Sequence, residues 1–175
     1  MLSGRSPIAL SEAGRAEAAR LAARLASVPL LAVYSSPRPR AHETATIAAT
    51  RHGLPVFVED ALDEIDFGDW TGRAFDDLAG DPAWDRWNSA RGAAAPPGGE
   101  AMASAVARAR AFLDTRPQGV TLCVSHCDII RGIVAAYLGL DLDRMLGFDC
   151  DPASLTTLAL HPGGAQLITL NERPQ

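Results

Sequence analysis

The chain has 175 residues, 47% of them hydrophobic and 21% charged, with a formal net charge of −5. That length favours one domain, able to bury roughly 70% of the surface of its unfolded chain. The acidic balance speaks against a nucleic-acid or polybasic membrane partner. All 16 basic residues are arginine, so a P-loop lysine is excluded. The apolar run from Gly132 to Leu140 is too short to span a membrane, and Met1-Leu2-Ser3-Gly4-Arg5 turns polar at once, unlike a signal peptide. Three cysteines without framework spacing fit a reduced, cytoplasmic protein.

Residues 1–10 read as irregular. Ser11 reads as an N-cap with Glu12 in the first turn, and Ala18, Leu21, Ala22 and Leu25 repeat at helical spacing to about Ser27. Leu30 to Tyr34 is a short buried strand ended by Ser35-Ser36-Pro37. A second helix is predicted from about Arg38 to Arg51, with Pro39 in its first turn and Gly53 just past its end. Pro55 to Val58 is the next strand. Asp60 to Gly72 is a loop carrying Asp63, Glu64, Asp66 and Asp69, and residues 73–90 read as short helices bearing Trp84 and Trp87.

Pro96-Pro97-Gly98-Gly99 marks a turn before a helix from Glu100 to about Thr115. A strand over 119–125 and a helix over 128–139 follow, then a short helix at 141–146. Ser154 to Leu160 and Gln166 to Leu170, split by Pro162-Gly163-Gly164, read as a β-hairpin. Alternating strands and helices argue α/β with a mostly parallel sheet. The first long helix is odd. Such a helix normally crosses between two parallel strands, and nothing strand-like precedes residue 11.

The chemistry centres on Val124-Ser125-His126-Cys127-Asp128. An imidazole there stands at the carboxyl end of a strand and the start of a helix, where α/β folds bind ligands and helix N–H groups favour anions. Arg40, in the first turn after another strand, can grip phosphate oxygens bidentately. Arg38 is the less favoured neighbour, and His42 reads as a helix-surface residue. In the acidic loop, Glu64 is flanked by Leu62, Ile65 and Phe67; desolvation there would raise its pKa and suit a general acid. Sequence alone does not choose among Asp63, Glu64, Asp66 and Asp69. A zinc site at Cys123, His126 and Cys127 is a weak reading, because strand and helix meet between the cysteines and no C-x-x-C pair exists. A Cys127 thiolate nucleophile is equally weak. Trp70, Trp84 and Trp87 read as buried core residues.

Together these stretches resemble the histidine phosphatase superfamily, the phosphoglycerate-mutase-like fold, from about Gly4 to Leu170. The motifs are Gly4 to Arg15, Tyr34-Ser35-Ser36-Pro37 with Arg40-Ala41 and Thr44-Ala45, Glu64 to Gly72, Pro96 to Glu100, and Val124-Ser125-His126, in order and spacing. The resemblance implies a three-layer α/β/α fold with a mostly parallel central sheet, in a single domain over 1–175 with a small cap at about 66–98. It implies phosphomonoester hydrolysis through a phosphohistidine, without metal or organic cofactor. Arg40 would bind phosphate, His126 would bind it and stabilise charge in transfer, and Glu64 would protonate the leaving oxygen. The compact cap favours a small phosphatase, broad-specificity or α-ribazole phosphatase-like, over a mutase. The partner expected is a small phosphorylated metabolite, with a homodimer left open.

One departure matters. The family's nucleophile lies in an Arg-His-Gly motif ending a first strand, before the segment that Gly4-Arg5 matches. Arg51-His52-Gly53 stands after the Arg40 motif, at a helix end, and reads as a surface His beside a C′ Gly. Cys127 stands where the family commonly has Gly, and Asp128 brings a carboxylate towards an anion site. The expectation is therefore a phosphatase sequence that begins too late, lacking the first strand and its histidine. The alternative is a non-catalytic phosphoester-binding protein.

Overall fold

The computed structural model describes residues 1–174. Its order is α1 (Glu12–Leu25), β1 (Leu30–Ser35), α2 (Pro39–Ala49), β2 (Val56–Val58), α3 (Pro82–Ser89), α4 (Met102–Asp114), β3 (Val120–Val124), α5 (Cys127–Tyr137), β4 (Leu155–His161) and β5 (Gly164–Glu172). Short 3-10 turns at Asp60–Leu62, Gly68–Trp70 and Leu142–Gly147 complete it. The predicted series of short helices over 73–90 resolves into the single helix α3.

β1 lies between β2 and β3, all parallel, with Val33 opposite Val56 and Leu122. Side chains alternate across this sheet. Val33 packs with Leu21 and Leu25 of α1, Ala45 and Ala48 of α2, and Leu122 of β3. Tyr34, one residue on, meets Phe112 of α4 edge-on at 5.1 Å. Thus α1 and α2 cover one face and α4 covers the other, which is the three-layer α/β arrangement. α4 and α5 pack closely because Gly132 has no side chain: a Cβ there would lie 2.4 Å from Val106 Cγ2.

β4 and β5 form a separate antiparallel hairpin. Among the described residues no strand pairs with β3 on its side away from β1. α1 therefore packs on α2 and the sheet without a strand before it.

Several caps follow the sequence. Ser11 accepts a hydrogen bond from Gly14 N, Pro39 starts α2, and Gly53 has φ +62°. The reading of His52 as a plain surface residue is corrected in part. It is half-buried, and its Nε2 is buried without a partner. The cap core holds Trp70 and Trp87, both fully buried, with Trp84 partly buried against them. Among the described residues, no helix is long and apolar enough to cross a membrane.

Candidate functional site

Both parallel strands β1 and β3 end at the same sheet edge, where Ser36 N donates to Val124 O at 2.9 Å. The residues just past the two strands therefore meet. His126 is the N-cap of α5 and is only 6% exposed. Ser36 follows β1 and is fully buried. Arg40, in the first turn of α2, reaches the imidazole from the other side.

The hydrogen bonds fix the ring's protonation. Arg40 Nη2 lies 3.1 Å from His126 Nδ1, and a guanidinium can only donate, so Nδ1 is an unprotonated acceptor. Nε2 then carries the proton and donates to Ser36 Oγ at 2.7 Å. Ser36 Oγ in turn donates to Asp63 Oδ1 at 3.2 Å. Burial, then the charges of Arg40, Arg38 and Arg108, push the His126 pKa down to about 3. His126 is a neutral imidazole held among cations.

The acidic loop divides sharply at two adjacent residues. Asp63 sits 2.9 Å from Arg38 Nε and 3.4 Å from Arg5 Nε, and its Oδ1 accepts from Glu64 N at 2.8 Å. Glu64 has no such cation. Its Oε1 accepts from Ile65 N at 3.0 Å, and its Oε2 lies 3.9 Å from His126 Nδ1. Burial first, then the charge of Asp128, raises the Glu64 pKa to about 8, so the group holds a proton at neutral pH. Of the four carboxyls that the sequence left open, Glu64 is the one with an oxygen within 4 Å of the imidazole, at 3.9 Å.

Three further residues hold this loop, and none was a candidate from sequence. Arg108 of α4 donates to both Glu100 oxygens at 2.9 and 3.0 Å, to Ala61 O at 2.7 Å and to Asp63 O at 2.9 Å. Arg5 joins Glu64 O at 2.9 Å to Glu100 Oε2 at 3.0 Å. Ser125 Oγ ties β3 to Leu62 O at 2.7 Å. All but the Arg108–Glu100 link, eight residues long, run across 45 or more residues and leave no local pattern to read. The loop also lies against the 96–100 turn. Gly68, at φ +50°, would place a Cβ 2.2 Å from Pro97 O, so only glycine fits.

The irregular amino-terminal segment completes the site. Arg40 donates to Gly4 O at 2.7 Å and Ser6 O at 3.1 Å, and Arg38 donates to Arg5 O at 2.6 Å. Leu2 is buried and exchanges backbone hydrogen bonds with Arg73 and Gly72. The structure brings Arg40, Glu64 and His126 together, and places Arg38 beside them as a partner of Asp63. His42 is exposed, as expected of a helix-surface residue. Cys123, Cys127 and Cys150 are free thiols, and burial raises the pKa of Cys123 to about 12. At Cys127, contact with Cys150 followed by burial also raises the pKa, which disfavours a thiolate nucleophile there. Among the described residues no group of three or more His, Cys, Asp or Glu is placed to hold a metal ion.

Comparison with known proteins agrees with this architecture. The model of the histidine phosphatase superfamily (branch 1) matches residues 1–173. Phosphoserine phosphatase 1 of Hydrogenobacter thermophilus is 32% identical over 168 residues, covering 93% of this chain and 80% of that protein. A bifunctional protein of Mycobacterium tuberculosis is 34% identical over 96% of this chain, which spans only 48% of that relative's length. The solved structure of Bacillus stearothermophilus YhfR superimposes with a TM-score of 0.89 at 29% identity, covering 98% of this chain and 88% of that one. With the family model spanning nearly every residue and the fold shared, the chain belongs to the histidine phosphatase superfamily.

Proposed function

We propose that this site binds the phosphoryl group of a small phosphomonoester and supports its hydrolysis through a phosphohistidine. The observation that carries the reading is the convergence at His126 Nδ1. Arg40 Nη2 stands 3.1 Å from that atom and Glu64 Oε2 stands 3.9 Å from it. Phosphoryl transfer depends on positioning and on positive charge around the transferring oxygens. Arg40 supplies that charge. His126 gains a proton when an anion offsets the surrounding arginines, and then adds a second cation. Glu64, protonated at neutral pH, gives its proton to the leaving oxygen.

A phosphohistidine relay needs a second imidazole as nucleophile. His42 and His161 are exposed, and His52 lies beyond the C-terminal end of α2, away from Arg40. The nucleophile is therefore proposed to come from a segment outside these residues, ending in Arg-His. The same lone imidazole supports a second reading, a protein that binds phosphoesters without turnover. The relatives' names and the compact cap support a small phosphorylated metabolite as ligand.

Two measurements test this. Inorganic phosphate should bind the 175-residue chain, and Arg40→Ala should weaken that binding by about tenfold or more, as expected for loss of a charged hydrogen-bonding group. Hydrolysis of p-nitrophenyl phosphate should be absent from this chain and appear when in-frame upstream residues are added. Turnover by this chain that His126→Ala abolishes would overturn the external nucleophile. An extended chain that binds phosphate but does not turn over would favour the binding-only reading.

A further inference from the structure

A second pair of charges lies at the start of α5, just past His126, and phosphate binding gives it no task. Arg91 follows α3 in the cap and is only 7% exposed, its guanidinium carbon 4.9 Å from the centroid of Trp87. Nη1 donates to Asp128 Oδ2 at 3.0 Å and Nη2 to Asn88 Oδ1 at 3.2 Å, while Nε is buried without a partner. Two of the five N–H donors of this guanidinium are thus engaged. Asp128 stands in the first turn of α5, two residues after His126, and its Oδ1 is 3.9 Å from Arg131 Nη1. Its charge is felt at Glu64. Glu64 Oε2 lies 3.9 Å from Nδ1 of the same His126, so the pair sits close to the group that would protonate a leaving alcohol.

A carboxylate at a helix N-terminus beside a phosphate site repels the phosphate, so its presence calls for a compensating gain. A buried ion pair adds little to stability over apolar side chains of similar size. What this pair does offer is one unfilled cationic donor set and one carboxylate, side by side. Their chemical complement is a group carrying a carboxylate and an ammonium on neighbouring atoms. We propose that Arg91 and Asp128 form a leaving-group subsite selecting phosphomonoesters of zwitterionic, amino-acid-like alcohols. The substrate carboxylate meets Arg91 and its ammonium meets Asp128. This inference rests on the phosphoryl reading of Arg40 and His126.

The test is equilibrium binding of four probes to the full chain: inorganic phosphate, O-phospho-L-serine, O-phosphoethanolamine and 3-phosphoglycerate. O-phospho-L-serine should bind about tenfold or more tighter than O-phosphoethanolamine or 3-phosphoglycerate, each of which lacks one of the two charges. Asp128→Asn, isosteric and able to keep accepting from Arg91, should erase the advantage of O-phospho-L-serine over 3-phosphoglycerate. Arg91→Lys should narrow its advantage over O-phosphoethanolamine. Phosphate binding without discrimination among the three esters would overturn the subsite alone, as would Asp128→Asn weakening every probe by one factor. No binding of phosphate would overturn the phosphoryl reading and the subsite with it.

Discussion

Two neighbouring regions of the site treat charge in opposite ways. In the clamp formed by Arg5, Arg38, Asp63, Glu100 and Arg108, each side chain has an ionic partner or accepting carbonyls. In the wall formed by Glu64 and His126, burial keeps both groups neutral, a carboxylic acid with a pKa raised to about 8 and an imidazole with one lowered to about 3. Asp63 and Glu64 are adjacent in sequence, so composition does not separate them; the arginines that reach one and not the other do. A clamp of closed ion pairs fixes the loop in place, and the wall holds groups poised to exchange protons. Breaking each region should give a different signature.

The largest effect should come from the clamp. Asp63→Ala leaves Arg5 and Arg38 without their shared carboxylate and removes the acceptors for Ser36 Oγ and Glu64 N. Breaking a buried ion pair is strongly destabilising, but both arginines reach solvent, so a loss of about 2–4 kcal/mol is expected in urea unfolding. Asp63→Asn keeps an acceptor and should lose less. A loss below about 0.5 kcal/mol for Asp63→Ala would mean that the clamp does not hold the loop.

The wall should show itself through pH. The unfolded chain releases the Glu64 proton near its ordinary pKa of 4.5, while the folded chain keeps it to about 8. Stability contributed by Glu64 is therefore full below pH 4.5 and falls as pH rises to 8. His126 acts in the other direction. The unfolded imidazole takes up a proton below pH 6.5 and the folded one stays neutral to about 3, so stability falls as pH drops across that window. Glu64→Gln should flatten the alkaline limb of the stability profile, and His126→Gln the acid limb. The effect of each is a few kcal/mol at its far end. A Glu64→Gln profile parallel to that of the unsubstituted chain between pH 5 and 8 would remove Glu64 as a proton holder.

The sequence disclosed the parts that local physics determines. Helix α1 was legible in the spacing of Ala18, Leu21, Ala22 and Leu25, and those four residues are its buried face. β3 and α5 were legible in an apolar run followed by a polar break, which placed His126 at a strand end. The hold of Arg5, Glu100 and Arg108 on the acidic loop was not legible, because Arg5 stands 95 residues from Glu100 and Arg108 stands 45 from Asp63, and a surface arginine has the same local pattern. Ser36 left a faint signal. It closes a buried strand at the edge that His126 also occupies, and parallel pairing of β1 with β3 is enough to join them.

Ser36 is also where the two regions touch, and it gives the smallest and sharpest test. Its hydroxyl accepts from His126 Nε2 at 2.7 Å and donates to Asp63 Oδ1 at 3.2 Å, linking wall to clamp. Ser36→Ala leaves Asp63 its arginines and leaves the imidazole its contact with Arg40, so overall stability should fall by only about 1–2 kcal/mol. The imidazole should change more than the fold does. Nδ1 still accepts from Arg40 and stays unprotonated, while the Nε2–H loses its buried acceptor, so the Nε2 chemical shift should move and that of Nδ1 should not. If the Nε2 shift does not move either, the imidazole does not depend on Ser36, and the clamp and the wall act independently.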